Sequence, residues 1–431
     1  MKKILIITYY WPPSGGGGVQ RWLKFSKYLP ENGWEPVVVA PENPEYPVID
    51  PSLEKDISDQ ITVIKLPIWE PYALFKKITG RKKDEKVNTG LLFDEKKQSL
   101  TEKLALWLRG NLLIPDPRIF WVRPTARRLK KICREVQPDA MVTTGPPHSV
   151  HLIGLKLKKQ FPAIKWISDF RDPWADIDYL DTFYASAFAR KIQSSLEKKV
   201  MACADKVLTV SPSWAKELQA KTQTQVGYIT NGFDHEDFPT LPDNQHPYSF
   251  TISHIGIINS YRNPLALWTA LEELCVENEG FREKLQIQII GTFDQGLRKS
   301  LENFPNVKQK TTVTGYLPHS EVIKKYAESA CLLLLLNNSK NTLGHIPGKF
   351  FEYLASGKPI LAMAPEHSDV ARIIDENQIG YACDFEDKKK IRHALSRIFL
   401  NEIQPPTREA IEKYSRQSLT SQLVKLIQFK N

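Results

Sequence analysis

Two charged residues placed one helical turn apart carry the most informative chemistry in this chain. Lys349 and Glu352 lie three positions apart, directly after Pro347 and Gly348, which mark the start of a helix. The free N–H groups at a helix start attract phosphate, and a lysine beside them adds positive charge. A carboxylate one turn later is placed to accept hydrogen bonds from ribose hydroxyls. The spacing indicates a cradle for a nucleoside diphosphate, although a surface ion pair would place the same two residues together.

The elements that must position this pair follow from the surrounding pattern. Gly357 predicts the end of the helix, and residues 358–363 have the pattern of a buried strand. Segments of strand length alternate with segments of helical spacing through most of the chain. The first unit is a strand at 3–9, a glycine-rich turn at 11–18 and a helix at 19–29. This alternation predicts an α/β protein built from doubly wound parallel sheets.

The alternation occurs in two series, separated by a polar, proline-containing stretch at 238–248. We predict a first Rossmann-like domain at 1–240 and a second at 241–405. A C-terminal helix within 406–431 is predicted to pack back on the first domain. Residues 67–120 do not fit the alternation, so we predict that they form an insertion or lid in the first domain.

Polar or glycine-rich residues follow the predicted strands of the first series. Parallel strands present their carboxyl ends at one edge of a sheet, where ligands bind. We expect that edge to be lined by Gly15 to Gly18, His148, Asp169, Ser211 and Asn231. The group Asp169, Arg171 and Asp172 could bind a ligand, or it could form a local arginine–carboxylate pair that fixes the turn.

Composition restricts the class of protein. The 431 residues are 42% hydrophobic and 25% charged, and they contain no run of about 18 apolar residues, so we expect a globular, cytoplasmic protein. The five cysteines and nine histidines show neither C-x-x-C nor H-E-x-x-H spacing, which predicts no disulfide framework and no metal site. Asp176 and Asp178 form a D-x-D pattern, but it precedes a helix and lacks the strand context of metal-dependent transferases.

Basic residues are concentrated between 76 and 134 in a chain whose net charge is +10. Aromatic residues are interleaved with them: Trp69, Tyr72, Phe75, Trp107, Phe120 and Trp121. A basic and aromatic mixture suits an anionic membrane surface, although a locally packed, solvated insertion would show the same pattern. No nucleic-acid-binding module is recognisable, so nucleic acid is not an expected partner.

Five segments together resemble the GT-B glycosyltransferases, specifically the retaining GT4-type family. They occur in the family's order and spacing, at Tyr10 to Gly18, Asp205 to Ser211, Asn231 to Asp234, Gly315 to Pro318 and Gly348 to Ile360. The resemblance covers nearly the whole chain. It implies a GT-B fold, with two Rossmann-like doubly wound domains and a cleft between them. It also implies sugar transfer from a nucleotide-sugar with retention at the anomeric carbon and with no metal or other cofactor.

The resemblance assigns roles on the donor side. Gly16 and Gly17 would let the backbone approach the donor diphosphate or the acceptor. Glu352 matches the glutamate that binds the donor ribose. Arg262 lies where the family has a cation on the diphosphate, and Lys349 would assist it.

Further roles concern the reacting centre and the acceptor. The helix start at Gly348 would help to stabilise the leaving diphosphate, whose phosphate is thought in the family to take the acceptor proton. His148 is the first-domain candidate near the reacting carbon. The candidates for acceptor binding are His151, Asp169, Arg171 and Asp172, and His151 could equally be a helix-face histidine whose hydrogen bonds are satisfied.

Two departures from the family pattern put the donor in question. The family often has a second glutamate eight residues before the ribose-binding one, and Gly344 occupies that position here. The donor-sugar contact is therefore missing or is supplied by the backbone at 344–345 or by His345. Ile257 follows Gly256 where the family often has an arginine, so Arg262 would act with less help.

The resemblance implies a nucleotide-sugar donor, for which we expect UDP or GDP. The basic, aromatic segment from Trp69 to Lys131 adds the hypothesis of a glycan or lipid-linked acceptor, in surface polysaccharide synthesis at the inner face of a membrane. A nicotinamide-dependent oxidoreductase is one alternative, but Gly15 to Gly18 is out of register with G-x-G-x-x-G and no acidic residue ends the second strand. A GT-B sugar-nucleotide epimerase is a second alternative. A non-catalytic nucleotide-sugar-binding partner of another transferase is a third, which Gly344 favours.

Overall fold

The chain folds into two compact units. The first comprises Met1–Thr230 and Leu419–Asn431, and the second comprises Asn231–Ser418. This computed structural model describes residues 1–71, 100–238, 249–259 and 262–428. The basic run at 76–97 and most of the stretch at 238–248 lie outside the described residues.

A seven-stranded parallel sheet forms the centre of the first unit, in the order β3-β2-β1-β4-β5-β6-β7. Its strands are β1 Lys2–Ile7, β2 Trp34–Pro41, β3 Thr62–Leu66, β4 Ala140–Gly145, β5 Lys165–Phe170, β6 Lys206–Thr209 and β7 Val226–Tyr228. The central strands are apolar on both faces because helices cover both sides, as in β1, where Ile4 to Ile7 are fully buried. Edge strand β3 is half-exposed and was not predicted.

Helices connect these strands. The helices of the first unit are α1 Gly17–Tyr28, α2 Leu100–Asn111, α3 Ile119–Val136, α4 Ser149–Lys158, α5 Ala187–Cys203 and α6 Pro212–Gln219. The described part of the predicted insertion contains α2 and the first residues of α3. None of the helices in the described ranges is long and apolar enough to cross a membrane.

The second unit contains a six-stranded parallel sheet in the order β10-β9-β8-β11-β12-β13. Its strands are β8 Phe250–Ile255, β9 Leu285–Ile290, β10 Thr311–Thr314, β11 Cys331–Leu335, β12 Ile360–Met363 and β13 Gly380–Cys383. Strand β11, Cys-Leu-Leu-Leu-Leu, is completely buried between two apolar cores, one on each face of the sheet.

The helices of the second unit are mostly short. They are α7 Leu265–Glu277, α8 Glu279–Lys284, α9 Gln295–Ser300, α10 Pro305–Lys310, α11 His319–Glu328, α12 Gly348–Ala355, α13 Asp369–Asn377, α14 Lys388–Phe399 and α15 Arg408–Glu412. A last helix, α16 Arg416–Ile427, begins in this unit, where the Arg416 N–H donates to the Phe233 carbonyl. Beyond Leu419 it packs in the first unit, with its last turns buried against the core that contains β1.

Both sheets reverse their strand order at one point, between β1 and β4 in the first and between β8 and β11 in the second. Loops that leave the carboxyl ends of the strands diverge at such a switch point and leave a crevice there. The predicted fold, two Rossmann-like doubly wound sheets, is confirmed.

Candidate functional site

Helix α12 is attached to the end of β8 through both backbone groups of one residue. The Lys349 ammonium donates a hydrogen bond to the Ile255 carbonyl. The Ile255 N–H donates to the Tyr353 hydroxyl at 3.2 Å. Lys349 and Tyr353 are four positions apart, on the same face of α12, so one helix face fixes the point where β8 ends.

Arg262 joins the two loops that diverge at the switch point of the second sheet. Its Nε donates to Oδ1 of Asn337, in the loop after β11, and its Nη1 lies 3.4 Å from the Ile257 carbonyl, in the loop after β8. Within the described part of the chain, no residue accepts a hydrogen bond from Nη2. Arg262 is thus held in place while part of its guanidinium stays available to a ligand.

Lys349 and Arg262 form a positive cluster without a neutralising acid. No carboxylate in the described ranges forms a salt bridge with either residue. Burial and the nearby Arg262 charge lower the pKa of Lys349 to about 7, and the Glu352 charge opposes this lowering more weakly. Burial also lowers the pKa of Arg262. Two partly buried cations that share a site attract an anion, and phosphate is the anion that this geometry suits best.

Glycine at position 256 is required for this arrangement. Its φ of +137° is rarely adopted by other residues. A Cβ at this position would lie 2.7 Å from the Lys349 ammonium nitrogen. The neighbouring Gly291 approaches closely as well, since a Cβ there would lie 2.2 Å from the Gly256 carbonyl oxygen. The backbone at the end of β8 therefore has no room for side chains.

Both oxygens of the Glu352 carboxylate are oriented by side chains from α11. The Tyr326 hydroxyl donates to Oε2 at 2.7 Å, and Nε2 of His319 lies 3.2 Å from Oε1. Burial alone would raise the pKa of Glu352, but the hydrogen bonds and charge of His319, the Tyr326 hydroxyl and the charge of Arg416 lower it overall. Glu352 is therefore an ionised, oriented acceptor, the state that pairing with ribose hydroxyls requires.

The residues around the departure at Gly344 lie in a tight turn before α12. Gly344 is buried in the 3₁₀ turn Thr342–Gly344, and the His345 N–H closes the turn on the Thr342 carbonyl at 3.1 Å. At the helix start, a Cβ on Gly348 would meet no atom within 4 Å, so space is open beside that first turn.

Gly16 and Gly17 form the start of α1 in the first unit, next to the switch point of that sheet. Both are exposed, and a Cβ on either would meet nothing within 4 Å. Gly16 has a φ of +82°, which favours glycine. No side chain caps this helix start. The backbone at Gly16 and Gly17 is therefore exposed, with open space beside it.

Arg171 joins loops across the switch point of the first sheet. Its guanidinium donates to the carbonyls of Gly145 at 3.3 Å, Gly18 at 2.5 Å and Pro146. All three nitrogens are used by backbone carbonyls. Burial raises the pKa of the adjacent Asp172, although the Arg171 charge opposes that rise.

Asp169 is fully buried and accepts four hydrogen bonds. Arg21 donates two of them, at 3.2 Å each, Nε1 of Trp22 donates one at 2.6 Å and the Thr144 hydroxyl donates one at 2.9 Å. Arg21 also donates to the carbonyls of Ile229 and Thr230. These contacts give Asp169 a structural role. Its arginine partner is Arg21, whereas the local pair considered from the sequence would have used the neighbouring Arg171.

His148 and His151 lie in an aromatic stack beneath the loop after β4. His148 stacks on Trp174 at 5.0 Å, and His151 stacks on Phe170 at 4.5 Å. His151 is fully buried, with Nδ1 2.9 Å from the Thr143 hydroxyl. Among the described residues, no group meets hydrogen-bond geometry with Nε2 of His151 or with either ring nitrogen of His148. Burial, followed by nearby positive charge, lowers the pKa of both, to about 3 for His151, so both rings are neutral.

The two acids of the D-x-D pattern lie in the segment after β5. Asp176, the first residue of the D-x-D pattern, forms a salt bridge with Lys221 at 2.6 Å. Within the ranges that the structure describes, no group of three histidine, cysteine or acidic side chains is arranged to hold a metal ion.

Sequence reasoning missed the residues that orient the predicted ones: Asn337, which holds Arg262, and His319 and Tyr326, which hold Glu352. Asn337 lies two residues after the end of strand β11, so the rule used for the first sheet would have identified it if applied to the second. His319 and Tyr326 lie 33 and 26 positions before Glu352, and no local pattern links them to it.

Comparison with known proteins identifies the second half of the chain. Residues 244–418 match the model of the family Glycosyl transferases group 1, so this region carries a domain of that family. A probable glycosyltransferase, WbjE of Pseudomonas aeruginosa, is 32% identical over 85 residues. That match covers 20% of this chain and 21% of the relative's length.

Solved structures of similar fold cover almost the entire chain. Sucrose-phosphate synthase from Thermosynechococcus elongatus matches 99% of this chain and 98% of its own, with a TM-score of 0.63 and 14% identity. HepE of Anabaena, solved in complex with UDP and glucose, matches 99% of both chains, with a TM-score of 0.61 and 11% identity. At such identities the likeness establishes the GT-B fold alone.

Proposed function

We propose, on the premise of a group 1 glycosyltransferase domain within a GT-B fold, that this protein is a retaining, metal-independent glycosyltransferase of the GT4 type. It moves a sugar from a nucleotide-sugar to a glycan or a lipid-linked acceptor in surface polysaccharide synthesis. The family match supports sugar transfer. Retention, the acceptor and the pathway rest on the sequence resemblance.

One observation supports the donor site most strongly. Lys349 and Arg262 are fixed by a backbone carbonyl and an amide, not by carboxylates, and the ionised Glu352 lies one helical turn from Lys349. Cations whose only described partners are neutral keep their attraction for a diphosphate. A carboxylate beside them suits the ribose of the same nucleotide. The cations and the carboxylate therefore match the diphosphate and the ribose of one nucleoside diphosphate.

The proposed chemistry follows from where charge develops. Cleavage of the sugar–phosphate bond places negative charge on the departing diphosphate. Arg262, Lys349 and the open helix start at Gly348 stabilise that charge without reorganising, and such preorganisation is usually the largest catalytic contribution. His148, which is neutral and near the Pro173 backbone, stays the first-unit candidate for contact with the sugar.

The proposal also names the nucleotide of the donor and the position of the protein at a membrane. UDP is the first nucleotide to test, because HepE was solved with UDP and glucose. The basic and aromatic residues between Trp69 and Lys131 support a peripheral position on an anionic inner membrane face.

A non-catalytic nucleotide-sugar-binding partner is the second candidate function. Gly344 favours it, because this position offers no side chain for the donor sugar. The two functions differ in turnover and not in nucleotide binding.

A thermal-shift panel with UDP, GDP, CDP, ADP, dTDP and NAD⁺ tests the donor site. Ligand at about 100 times its dissociation constant stabilises by roughly 2.7 kcal/mol, which gives a readable shift. We expect one nucleoside diphosphate to stabilise the wild type, with the shift lost in Glu352→Ala and in Arg262→Met. A response to NAD⁺ alone would overturn the transferase proposal.

Turnover of the matching nucleotide-sugars then separates the candidates. NMR of the product's anomeric configuration tests retention, and activity in the presence of a chelator tests metal independence. Binding without turnover on any acceptor would identify the partner function. Conversion of the donor without an acceptor would identify an epimerase.

A further inference from the structure

A groove with an apolar floor and a basic rim lies on the outer helical layer of the first unit. Helices α3, α4 and α5 line it, with a volume of about 560 Å³, within the range of about 300–1,000 Å³ typical of ligand sites. Its floor consists of aliphatic side chains: Ile119, Val122, Leu152 and Leu155. Its rim carries four cations: Arg123, Lys156, Lys159 and Lys199.

No carboxylate among the described residues neutralises the charges on this rim. The described residues that line the groove include no acid. None of the four cations forms a salt bridge with a carboxylate, as far as the described residues show. The basic surface continues along α3, where Arg127, Arg128, Lys131 and Arg134 are exposed and Glu135 is the one exposed acid. This face of the unit is therefore an anion-attracting surface around an apolar depression.

Two aromatic side chains extend the apolar floor to the surface. Phe120 lines the groove and is 44% exposed, and Trp69, which is 60% exposed, packs edge-on against it at 4.8 Å. Aromatic rings that stay partly exposed beside cations are typical of the boundary between hydrocarbon and headgroups. A site that served only soluble phosphate would not need them.

We propose that this groove binds an anionic phospholipid of a bilayer, with hydrocarbon on the aliphatic floor and the phosphate against the lysines of the rim. Charge complementarity selects this occupant. The sequence of residues 72–99, which precedes α2, contains eight basic and four acidic residues, so its net charge of +4 has the same sign as the rim. This proposal rests on the proposed function, which places the protein at a membrane. It identifies the groove of α3, α4 and α5 as the surface that contacts the lipid.

Co-sedimentation of the full chain with vesicles tests the groove. We expect binding to vesicles of equal parts phosphatidylcholine and phosphatidylglycerol at low salt, weaker binding as salt screens the rim, and little binding to pure phosphatidylcholine. Lys156→Gln/Lys159→Gln should lower the partition coefficient about 30-fold, since each cation near an anionic surface contributes about one fivefold factor. Phe120→Ala should lower it by at least about tenfold, as an apolar anchor is lost.

Matched variants separate a specific groove from attraction by net charge. Lys216→Gln/Lys389→Gln removes the same two charges from exposed positions on α6 and α14, and Leu265→Ala truncates an exposed side chain on α7. Both should retain wild-type binding. Equal losses in the groove and control pairs, unchanged binding in Phe120→Ala, or no binding to anionic vesicles would each overturn the proposal.

The nucleotide response of the same variants distinguishes the two proposals. Groove variants should keep the thermal shift with nucleoside diphosphate. Vesicle binding without any nucleotide response would refute the transferase and leave the groove standing. A nucleotide response without vesicle binding would refute the groove proposal and leave the transferase proposal standing.

Discussion

Two arginines, one in each unit, differ in how much of each guanidinium is used by the protein. Arg171 and Arg262 both connect loops across a switch point. Arg171 donates from all three nitrogens to backbone carbonyls, whereas Nη2 of Arg262 has no acceptor among the described residues. Arg171 holds backbone segments together, whereas Arg262 is held by the Asn337 side chain and one carbonyl and keeps Nη2 available.

The same difference extends to the acids around them. Asp169, at the end of β5, neutralises Arg21 inside the protein, while no described carboxylate pairs with Arg262 or Lys349. A switch point provides a crevice in both sheets, but only uncompensated charge makes a crevice attractive to an anion. Unpaired cations at a strand end are therefore a better sign of a phosphate site than cations alone.

Replacing each arginine by methionine should separate the two roles most clearly. Arg171→Met should destabilise the first unit by about 3 kcal/mol, because three partly buried carbonyls lose a charged donor. Arg262→Met should cost less than about 1 kcal/mol, because it removes a desolvated cation with fewer bonds. Urea unfolding followed by tryptophan fluorescence measures both. Equal losses of stability would show that Arg262 is structural as well.

The pH dependence of nucleotide binding sharpens the comparison further. Lys349 has a pKa of about 7, so it is charged below that pH and increasingly neutral above it. A diphosphate binds the charged form of Lys349. The association constant should therefore fall as pH rises above 7, and the size of that fall should approach about tenfold per pH unit. Calorimetric titration with UDP above pH 7 avoids the phosphate's own ionisation near about pH 6.

Lys349→Met supplies the control for that dependence. The variant should bind UDP weakly at every pH and should lose the decline above pH 7. A decline that persists in Lys349→Met would assign the titration to another group. Arg171, which is fully bonded to carbonyls, should contribute nothing to it.

The smallest expected effect concerns the orientation of Glu352. Tyr326→Phe removes one hydrogen bond to this carboxylate and should weaken nucleotide binding by about 1 kcal/mol, roughly fivefold, with little change in ring packing. Titration with UDP measures the loss. Tyr353→Phe is the matched control on the neighbouring ring, because its hydroxyl contacts the Ile255 N–H instead. A larger loss in the control would place the ligand contact elsewhere.

The local sequence pattern predicted helices and strands well where they are buried and where glycine or proline marks their ends. The helix predicted after Pro347 begins at Gly348, and Gly357 ends it with a left-handed φ of +69°. Strand β3 was missed because only Leu66 of its five residues is buried, so it has no continuous apolar run. Edge strands of a parallel sheet are only half-covered and lose that signal.

The partners of the candidate residues could not be predicted. Asp169 was placed correctly at a strand end, but its partner Arg21 is 148 positions away. Lys349 is held by the Ile255 carbonyl, and backbone groups carry no residue type that a sequence pattern could reveal. Sequence therefore indicates which residues gather at a sheet edge, and tertiary contacts decide which of them stay available.

The contact between Lys349 and the Ile255 carbonyl has a spectroscopic consequence. The ammonium polarises the peptide bond between Ile255 and Gly256, and the nitrogen of that bond belongs to Gly256. A diphosphate that draws Lys349 away would relax this polarisation. The ¹⁵N resonance of Gly256 is thus a reporter of site occupancy that needs isotopic enrichment but no added chemical group.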